Sequence, residues 1–298
     1  MIRQVRKAAR FPEAAKRKVA ASVVRPFVSG SFPSGSHIDV AWDNLIILDA
    51  CRHDTFEKYN PFDTPAKPVE SNASHTAEFL ERNFSRNRHD TVYVTASPQV
   101  VGYESRFHEV LHVWDQSWDD ELRTVRPESV TEAALAAATE YPDKKLIVHY
   151  MQPHYPFIGP TGRELGTHAT YTGGLREREH LSVWELLSAG KVSKAAVETA
   201  YEENLELVLN SVTGIVEALD GKTVVTSDHG NLFHEKVSPI PLRLSGHPPN
   251  MPAENLIRVP LVELPFESRR EITASPPHES DVESGDVESR VKDLGYLQ

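Results

Sequence analysis

Residues 223–230 read Thr-Val-Val-Thr-Ser-Asp-His-Gly, a short β-branched run that ends in an acid, a histidine and a glycine. Runs of this length are typical of a strand that is buried on both faces. The glycine lets the backbone turn tightly after the strand, so that both preceding polar side chains can face one pocket. This stretch therefore predicts a strand that delivers Asp228 and His229 to the end of a sheet.

The rest of the chain repeats the alternation of strand and helix. Further short apolar runs occupy residues 44–49, 91–95, 145–150 and 258–262. Apolar residues at helical spacing occupy residues 76–84, 130–140 and 195–219. Such alternation is typical of α/β proteins. The sequence predicts a three-layer α/β/α sandwich with a mostly parallel central sheet.

Composition excludes several classes of protein. The 298 residues include 32 Lys+Arg and 43 Asp+Glu, a net charge of −11, which argues against a nucleic-acid-binding protein. The chain has no apolar run near the ~20 residues that cross a bilayer, and no apolar core of a signal peptide follows the basic N-terminus. We therefore expect a cytoplasmic protein, peripheral at most to the inner membrane face. The single cysteine, Cys51, excludes an internal disulfide and a multi-cysteine zinc site.

Shifts in composition divide the chain into four parts. Residues 1–35 form a basic helical arm, 36–266 the catalytic domain, 267–286 an acidic flexible linker rich in Ser, Glu and Pro, and 287–298 a C-terminal helix that docks back. Residues 1–28 carry eight Lys/Arg and one Glu, a net charge of +7. Three interpretations of the arm stay open: it packs on the acidic body, it makes weak contact with an anionic membrane surface, or it is disordered.

Polar residues follow three of the predicted strands. Asp49 ends the first run, His149 and His154 lie at the end of the third, and Asp228 and His229 follow the fourth. Ligands bind at the carboxyl ends of parallel strands. Acids that meet there would repel one another without a cation, and oxygen and imidazole ligands suit a divalent metal.

Each of these residues also has a plain structural interpretation. Asp49 alone could be a helix cap or a turn residue. His154, between two prolines, and His247, in Ser-Gly-His-Pro-Pro, could belong to rigid loops. Their joint occurrence at corresponding strand ends is what favours a metal site.

The motifs resemble the alkaline phosphatase superfamily and, within it, the sulfatase-like branch of prokaryotic proteins. The resemblance is carried by residues 44–54, Ser74-His-Thr76, 149–156, 225–230, 246–248, 258–261 and 287–297. It implies an alkaline phosphatase-like fold and a metal-dependent ester hydrolase. Asp49, Asp228 and His229 then match the core metal ligands.

The resemblance also implies a hydroxyl nucleophile at a helix start. Thr76 matches that position, and Ser74 is the alternative because the alignment can slip. His247 and His154 match positions that bind a second metal or the oxyanion of the substrate. Since Gln152 and His154 stand where an Asp is expected, the resemblance implies one firm metal site with a partial second one. Carboxylate and imidazole ligands suit Mn, Zn or Mg.

One departure concerns sulfatase chemistry. The formylglycine signature Cys-x-Pro-x-Arg is missing, because Cys51 is followed by Arg-His-Asp-Thr. We expect Cys51 to be buried and inert. Arg52 could bind either an anionic substrate or a carboxylate of the protein, and both interpretations stay open.

The predicted function is metal-dependent hydrolysis of a phosphate ester, in preference to a sulfate ester. The substrate would be a small molecule or the headgroup of a glycan or lipid. A transferase or mutase could use the same site. The alternative from a different class is a catalytically silent relative that binds an anionic glycan or lipid headgroup.

Overall fold

The computed structural model describes residues 12–165 and 182–278, together with Val287, Arg290, Val291 and Leu294. Eleven strands are present in these residues. They are β1 (Asn44–Asp49), β2 (Lys67–Glu70), β3 (Arg88–Thr95), β4 (Phe107–His112), β5 (Trp118–Asp119), β6 (Thr124–Val125), β7 (Lys145–Pro153), β8 (Thr223–Ser227), β9 (Leu232–Glu235), β10 (Leu244–Gly246) and β11 (Arg258–Glu263).

Seven strands form the central sheet, in the order β2-β11-β8-β1-β7-β3-β4. β8, β1, β7, β3 and β4 are parallel, and β11 is antiparallel to both of its neighbours. The predicted mostly parallel sheet is confirmed. Sequence patterning missed β2 and β4, which lie at the two edges of the sheet and bury less of their length.

Nine α-helices are present in the described residues. They are α1 (Pro12–Val24), α2 (His53–Tyr59), α3 (Thr76–Asn83), α4 (Val113–Gln116), α5 (Pro127–Glu140), α6 (Pro160–Glu164), α7 (Val183–Ser188), α8 (Lys194–Ala218) and α9 (Glu254–Ile257). The three helical patterns found in the sequence correspond to α3, α5 and α8, with ends that differ by a few residues.

Side chains of the sheet alternate between two cores. Leu45 and Ile47 of β1 join the apolar cluster beneath α3, whereas Ile46 and Leu48 join the cluster beneath α5 and α8. Each such fully buried side chain contributes roughly 1.5–3 kcal/mol. The two-residue period also sets the position of the site, because Asp49 continues the face of Leu45 and Ile47. The start of α3 therefore meets the end of β1 on that face.

The chain after β11 differs from the flexible linker predicted for residues 267–286. Residues 267–278, here called the strap, run along the amino ends of the strands. Arg269 pairs with Asp43 at 2.7 Å, and the backbone N–H groups of Thr273 and Ser275 donate to carbonyls that precede β7 and lie in β3. Polar composition suggested flexibility because the partners on the sheet edge cannot be read from sequence. Residues 279–286 lie outside the described residues.

The two terminal parts contact the body where they are described. Ala21 and Val24 of α1 are buried in an apolar cluster that includes Leu232 and Met251. Leu294, near the C-terminus, is buried in the cluster beneath α5 and α8. Residues 1–11 of the predicted arm lie outside the described residues. Among the helices that the structure describes, none combines the length and the apolar character that a bilayer crossing needs.

Candidate active site

Three buried side chains converge at the carboxyl edge of the sheet. Asp49 ends β1, His149 lies in β7, and Asp228 directly follows β8; all three are fully buried. One potential ligand atom from each lies within 4.8 Å of the others. They meet because β8, β1 and β7 are adjacent and parallel. Two carboxylates and an imidazole form a donor set that can hold a divalent metal.

Asp228 is held with one oxygen occupied and one presented. Its Oδ1 accepts hydrogen bonds from the backbone N–H of Ala50 at 3.0 Å and of His229 at 2.8 Å. Among the described residues, no hydrogen bond reaches Oδ2, although this atom is buried. Ala50 reaches Asp228 by adopting a φ of 59°, which is uncommon for a residue with a Cβ. The turn after β1 thus fixes Asp228 and leaves Oδ2 available to a cation.

The tautomer of His229 points to the same conclusion. Its Nδ1 lies 2.8 Å from the carbonyl oxygen of Gly230, which can only accept, so Nδ1 carries the proton. In the neutral ring, Nε2 then carries a lone pair and no proton. This atom lies 3.4 Å from Asp228 Oδ2 and 3.7 Å from Asp49 Oδ1. Three lone-pair atoms that face one another are stabilised by a positive charge between them.

His149 completes the group and was not among the predicted ligands. Its Nδ1 lies 2.8 Å from the hydroxyl of Tyr93, and its buried Nε2 has no hydrogen-bond partner among the described residues. Burial lowers the pKa of His149 to about 4, against the opposing effect of Asp228. Its ring is therefore neutral near pH 7, which is the form that binds metals.

The residues present therefore fit a divalent metal. Burial alone would raise the pKa of Asp228, but His229, His149 and the backbone N–H of Ala50 lower it below its ordinary value. The two imidazoles lower it only as cations, and a bound metal would replace their charge, so that the site offers ionised oxygen together with neutral imidazole nitrogen. Asp49, Asp228 and His149 would hold the ion, with His229 beside them.

Thr76, the predicted nucleophile, lies against this group. It is fully buried as the first residue of α3. Its hydroxyl oxygen is 3.2 Å from His229 Nε2 and 3.4 and 3.5 Å from the two carboxylate oxygens of Asp49. The N-terminus of α3 directs backbone N–H groups toward the same region, which favours an anionic group.

Ser74, the alternative nucleophile, has a structural role. Its hydroxyl lies 3.2 Å from both Glu78 Oε2 and the carbonyl of Pro248, and it accepts from the backbone N–H of Met251 at 3.0 Å. These bonds tie the start of α3 to residues 246–251, here called the His247 loop. The geometry therefore favours Thr76 over Ser74.

Four histidine rings line the site beside Thr76. The centroid of the His247 ring lies 4.8 Å from those of His154 and His229 and 5.3 Å from that of His75. His247, predicted as a metal ligand, thus lies next to His229 rather than within the group formed by Asp49, His149 and Asp228. We call these four residues the histidine cluster.

The tautomers of His154 and His75 give these residues different chemistry. His154 Nδ1 donates to the carbonyl of Tyr155, so its Nε2, 3.4 Å from His247 Nε2, has a lone pair. His75 Nδ1 instead accepts from the backbone N–H of Ala77 at 3.2 Å, which leaves its Nε2–H as a donor. Burial lowers the pKa of His154 to about 3 and that of His75 to about 4. Of the two neutral rings, His75 can donate to an oxyanion and His154 can accept or bind a cation.

Arg52 binds carboxylates of the protein, one of the two interpretations left open. Its guanidinium donates to Asp54 at 2.8 and 2.5 Å and to Glu235 at 2.9 Å. The side chain also lies over the ring of Phe233. These contacts agree with the carboxylate interpretation, and the role of Arg52 in substrate binding stays a prediction.

The three-dimensional structure explains three further residues of the site. Gly230 is required because a Cβ at this position would lie 2.2 Å from the carbonyl oxygen of Asn255, rather than because of an unusual φ. His149 and His75 appeared in the sequence only inside longer motifs. The available signal was their position, since His149 interrupts a buried apolar strand and His75 precedes the predicted nucleophile.

Comparison with solved structures finds related folds. The integral membrane protein lipooligosaccharide phosphoethanolamine transferase A (EptA) from Neisseria meningitidis aligns with a TM-score of 0.50 at 14% identity. The C-terminal periplasmic domain of EptC from Escherichia coli, in complex with Zn, aligns with a TM-score of 0.50 at 13% identity. The matches cover 79% and 81% of this chain.

These likenesses concern the fold. The alignments span 49% of the Neisseria protein and 76% of the Escherichia domain, so this chain corresponds to about half of the former. The alkaline phosphatase-like fold expected from the sequence is confirmed. No protein-family model matches the chain, and no curated protein matches it.

Proposed function

We propose that this protein is a metal-dependent enzyme that transfers the phospho group of a phosphate ester through a covalent intermediate on Thr76. The observation that carries the proposal is the contact of a buried helix-start hydroxyl with His229 at 3.2 Å and with Asp49 at 3.4 and 3.5 Å. A hydroxyl of ordinary pKa is a weak nucleophile and needs such neighbours to be activated.

The first half of the reaction forms a bond from Thr76 Oγ1 to phosphorus and breaks the bond from phosphorus to the leaving oxygen. His229 Nε2 and the Asp49 carboxylate are both within reach of the Thr76 proton. His75 can donate Nε2–H to a phosphoryl oxygen, and the N-terminus of α3 adds backbone N–H groups. A divalent metal held by Asp49, Asp228 and His149 would stabilise negative charge on the transferring group.

The second half releases the group to water or to an alcohol. Water gives hydrolysis, whereas an alcohol acceptor gives a transferase, and both use the same first step. The name of the Neisseria protein, a lipooligosaccharide phosphoethanolamine transferase, supports transfer as much as hydrolysis. A lipid or glycan headgroup is the substrate class that agrees with that name.

Phosphate is preferred over sulfate because this chain lacks the formylglycine signature. Cys51, the single cysteine, is fully buried beyond the end of β1, and burial raises the pKa of its thiol well above the ordinary value. It therefore has neither the access nor the ionisation that a nucleophile needs.

The test is an assay of wild-type protein and of T76A and S74A, with chromogenic phosphate monoesters, phosphate diesters and sulfate esters and with Mn, Zn or Mg. We expect metal-dependent turnover of a phosphate ester, with losses of at least about 10³-fold for T76A. S74A should keep most of the activity, because its hydroxyl bonds a loop rather than the site.

A trapping experiment separates the halves of the reaction. Rapid quenching and peptide mass spectrometry should find the phospho group on the peptide that contains Thr76, and adding an alcohol should reveal transfer. Turnover that is retained in T76A would overturn the nucleophile assignment. Tight metal binding without turnover of any ester would instead favour a silent binding protein.

A further inference from the structure

The described part of the N-terminal helix has one face buried and one face exposed. Ala21 and Val24 are buried against the cluster that includes Leu232, Leu244 and Met251. The connector after the helix is also closely seated, because a Cβ on Gly30 would lie 2.0 Å from the carbonyl oxygen of Pro252. The helix is therefore a fixed part of this side of the molecule.

Three exposed apolar side chains lie on this helix and on the turn after it. Val19 and Val23 lie one turn apart on α1, Phe27 ends the 3₁₀ turn Arg25–Phe27 that follows, and the three are 61%, 45% and 52% exposed. They are three of the five large apolar side chains that are exposed in the described chain; the other two are Leu242 and Phe266. We call Val19, Val23 and Phe27 the apolar stripe. Since the helix already buries its other face, packing on the body does not account for the stripe.

The charge around the stripe identifies the kind of surface that would cover it. Residues 1–28 carry a net charge of +7, whereas the rest of the chain carries −18. Lys16 and Lys18 on the helix and Arg25 in the turn after it are exposed. A surface that is anionic at its face and apolar just beneath fits both features. A bilayer that contains anionic lipids has this construction.

We propose that the apolar stripe and the basic residues around it dock the protein on an anionic membrane surface. Partial burial of two valines and a phenylalanine supplies the apolar part of the binding. Each basic residue near an anionic surface adds an electrostatic attraction that salt screens. Binding therefore requires anionic lipid and weakens with salt.

The docking helix is connected to the candidate active site by the His247 loop. Arg25 donates to the carbonyl oxygen of Pro249 at 2.9 Å. Two residues further on, the backbone N–H of Met251 donates to Ser74 Oγ at 3.0 Å, next to the start of α3. The membrane-facing helix and the loop that carries His247 thus belong to one hydrogen-bonded unit.

The experiment is co-sedimentation of the full chain with vesicles of phosphatidylcholine, with and without phosphatidylglycerol, at low and high salt. We expect binding only with the anionic lipid and only at low salt. The triple variant V19S/V23S/F27S should lower the partition coefficient at least tenfold. F266S is the matched control, since Phe266 is 45% exposed outside the helix, and it should bind like the wild type.

Several outcomes would overturn the proposal. These are wild-type protein that does not bind anionic vesicles, a triple variant that binds as well as the wild type, or equal losses in F266S. A stripe that instead joins two copies would appear as a dimer in light scattering that the triple variant dissociates. Turnover of a soluble chromogenic ester should be unchanged in the triple variant, so failure of docking and failure of the proposed reaction are distinguishable.

Discussion

The two ends of strand β1 present the same physical problem and solve it differently. Asp43 directly precedes the strand and Asp49 ends it, and both side chains are fully buried. Asp43 accepts hydrogen bonds from Arg269 at 2.7 and 2.8 Å and from the backbone N–H of Lys222 at 2.8 Å. Asp49 instead faces the Thr76 hydroxyl and, at 3.7 Å, the Nε2 of His229.

The difference separates a carboxylate that the fold itself pairs from one that we propose as a metal ligand. Burying a charge is costly unless a partner compensates it. Burial alone would raise the pKa of Asp43, but hydrogen bonds from Arg269 and Lys222 lower it, so the fold itself supplies the compensation. At the other end, two carboxylates and a neutral histidine converge. Their compensation is complete when a cation from outside is bound.

The sharpest test of this comparison is removal of each charge in turn. Asp49→Asn should lower kcat/KM by about 10²–10³-fold or more, as expected for loss of a group that stabilises charge in the transition state. Asp43→Asn should leave kcat/KM nearly unchanged and lower the free energy of unfolding by about 1–3 kcal/mol. Steady-state assays and urea denaturation measure the two effects.

In the metal-free protein, the variants D49N and D43N are expected to change stability in opposite directions. Asp49→Asn removes repulsion between buried carboxylates, so with a chelator present it should unfold at a higher temperature than the wild type. Loss of stability in chelated D49N comparable to that of D43N would mean that both aspartates are structural.

The rise in melting temperature on metal addition should depend on residues at the carboxyl ends of the strands and not on residues at their amino ends. At a free metal concentration of about 100 times Kd, binding stabilises the folded state by about 2.7 kcal/mol. Asp228→Asn should remove most of the resulting rise in melting temperature. Asp90→Asn, which removes a half-buried carboxylate that pairs with Lys145 at 2.8 Å, should keep it. An equal rise in D228N and the wild type would show that the metal binds elsewhere.

A variant of Tyr93 tests whether the orientation of His149 contributes to metal affinity. Its buried hydroxyl contacts His149 Nδ1 at 2.8 Å and orients the ring. Tyr93→Phe keeps the ring volume, and loss of such a supporting hydrogen bond should weaken metal affinity about 10–100-fold in a competition titration. Tyr150→Phe is the control, because the Tyr150 hydroxyl bonds Thr131 at 2.7 Å. Equal effects of the two variants would contradict the positioning role.

Much of the site could be predicted because it follows the periodicity of the strands. Asp49 and Asp228 end apolar runs, and parallel strands carry their last residues to one edge. Thr76 was identified through the resemblance to a family rather than from spacing. His149 was recognised as a polar residue at a strand end but was not assigned as a ligand, because a histidine inside a buried run resembles a core residue until its neighbours are known.

The remaining features depend on contacts between distant parts of the chain. The strap has the composition of a flexible linker, yet Arg269 reaches Asp43 over 226 positions of sequence. Arg52 was equally ambiguous until Asp54 and Glu235 were seen beside it. No local pattern reports which carboxylate will lie near a given arginine, so such pairings are visible only in the structure.

Groups near the carboxyl ends of the strands and groups near their amino ends should give stability different pH dependences. His37 donates to the carbonyl of Ser227 near the carboxyl edge, and burial lowers its pKa from 6.5 to about 4. Between these values the unfolded chain binds a proton that the folded protein does not. Stability should therefore fall as the pH is lowered from 6.5 to 4, by up to about 1.4 kcal/mol per pH unit for such a group. Asp43, with a lowered pKa, contributes only below about pH 4.

Replacing His37 isolates its share of this slope. His37→Gln keeps an amide donor for Ser227 and cannot be protonated in this range. Urea denaturation from pH 4 to 7 should show a shallower slope than in the wild type. A slope that is unchanged in H37Q would show that other groups carry the dependence.

The smallest expected effect concerns the strap itself. Arg269→Gln removes one cation from Asp43, but the side chain of Arg269 is 40% exposed, so water screens the pair. The backbone N–H of Lys222 still donates to Asp43, and Arg270 still bonds Asn44 at 2.9 Å. We therefore expect a loss of about 1 kcal/mol in urea denaturation, less than for D43N, and an unchanged rise in melting temperature on metal addition. A reduced metal response in R269Q would connect the two edges and contradict their separation into a structural end and a functional end.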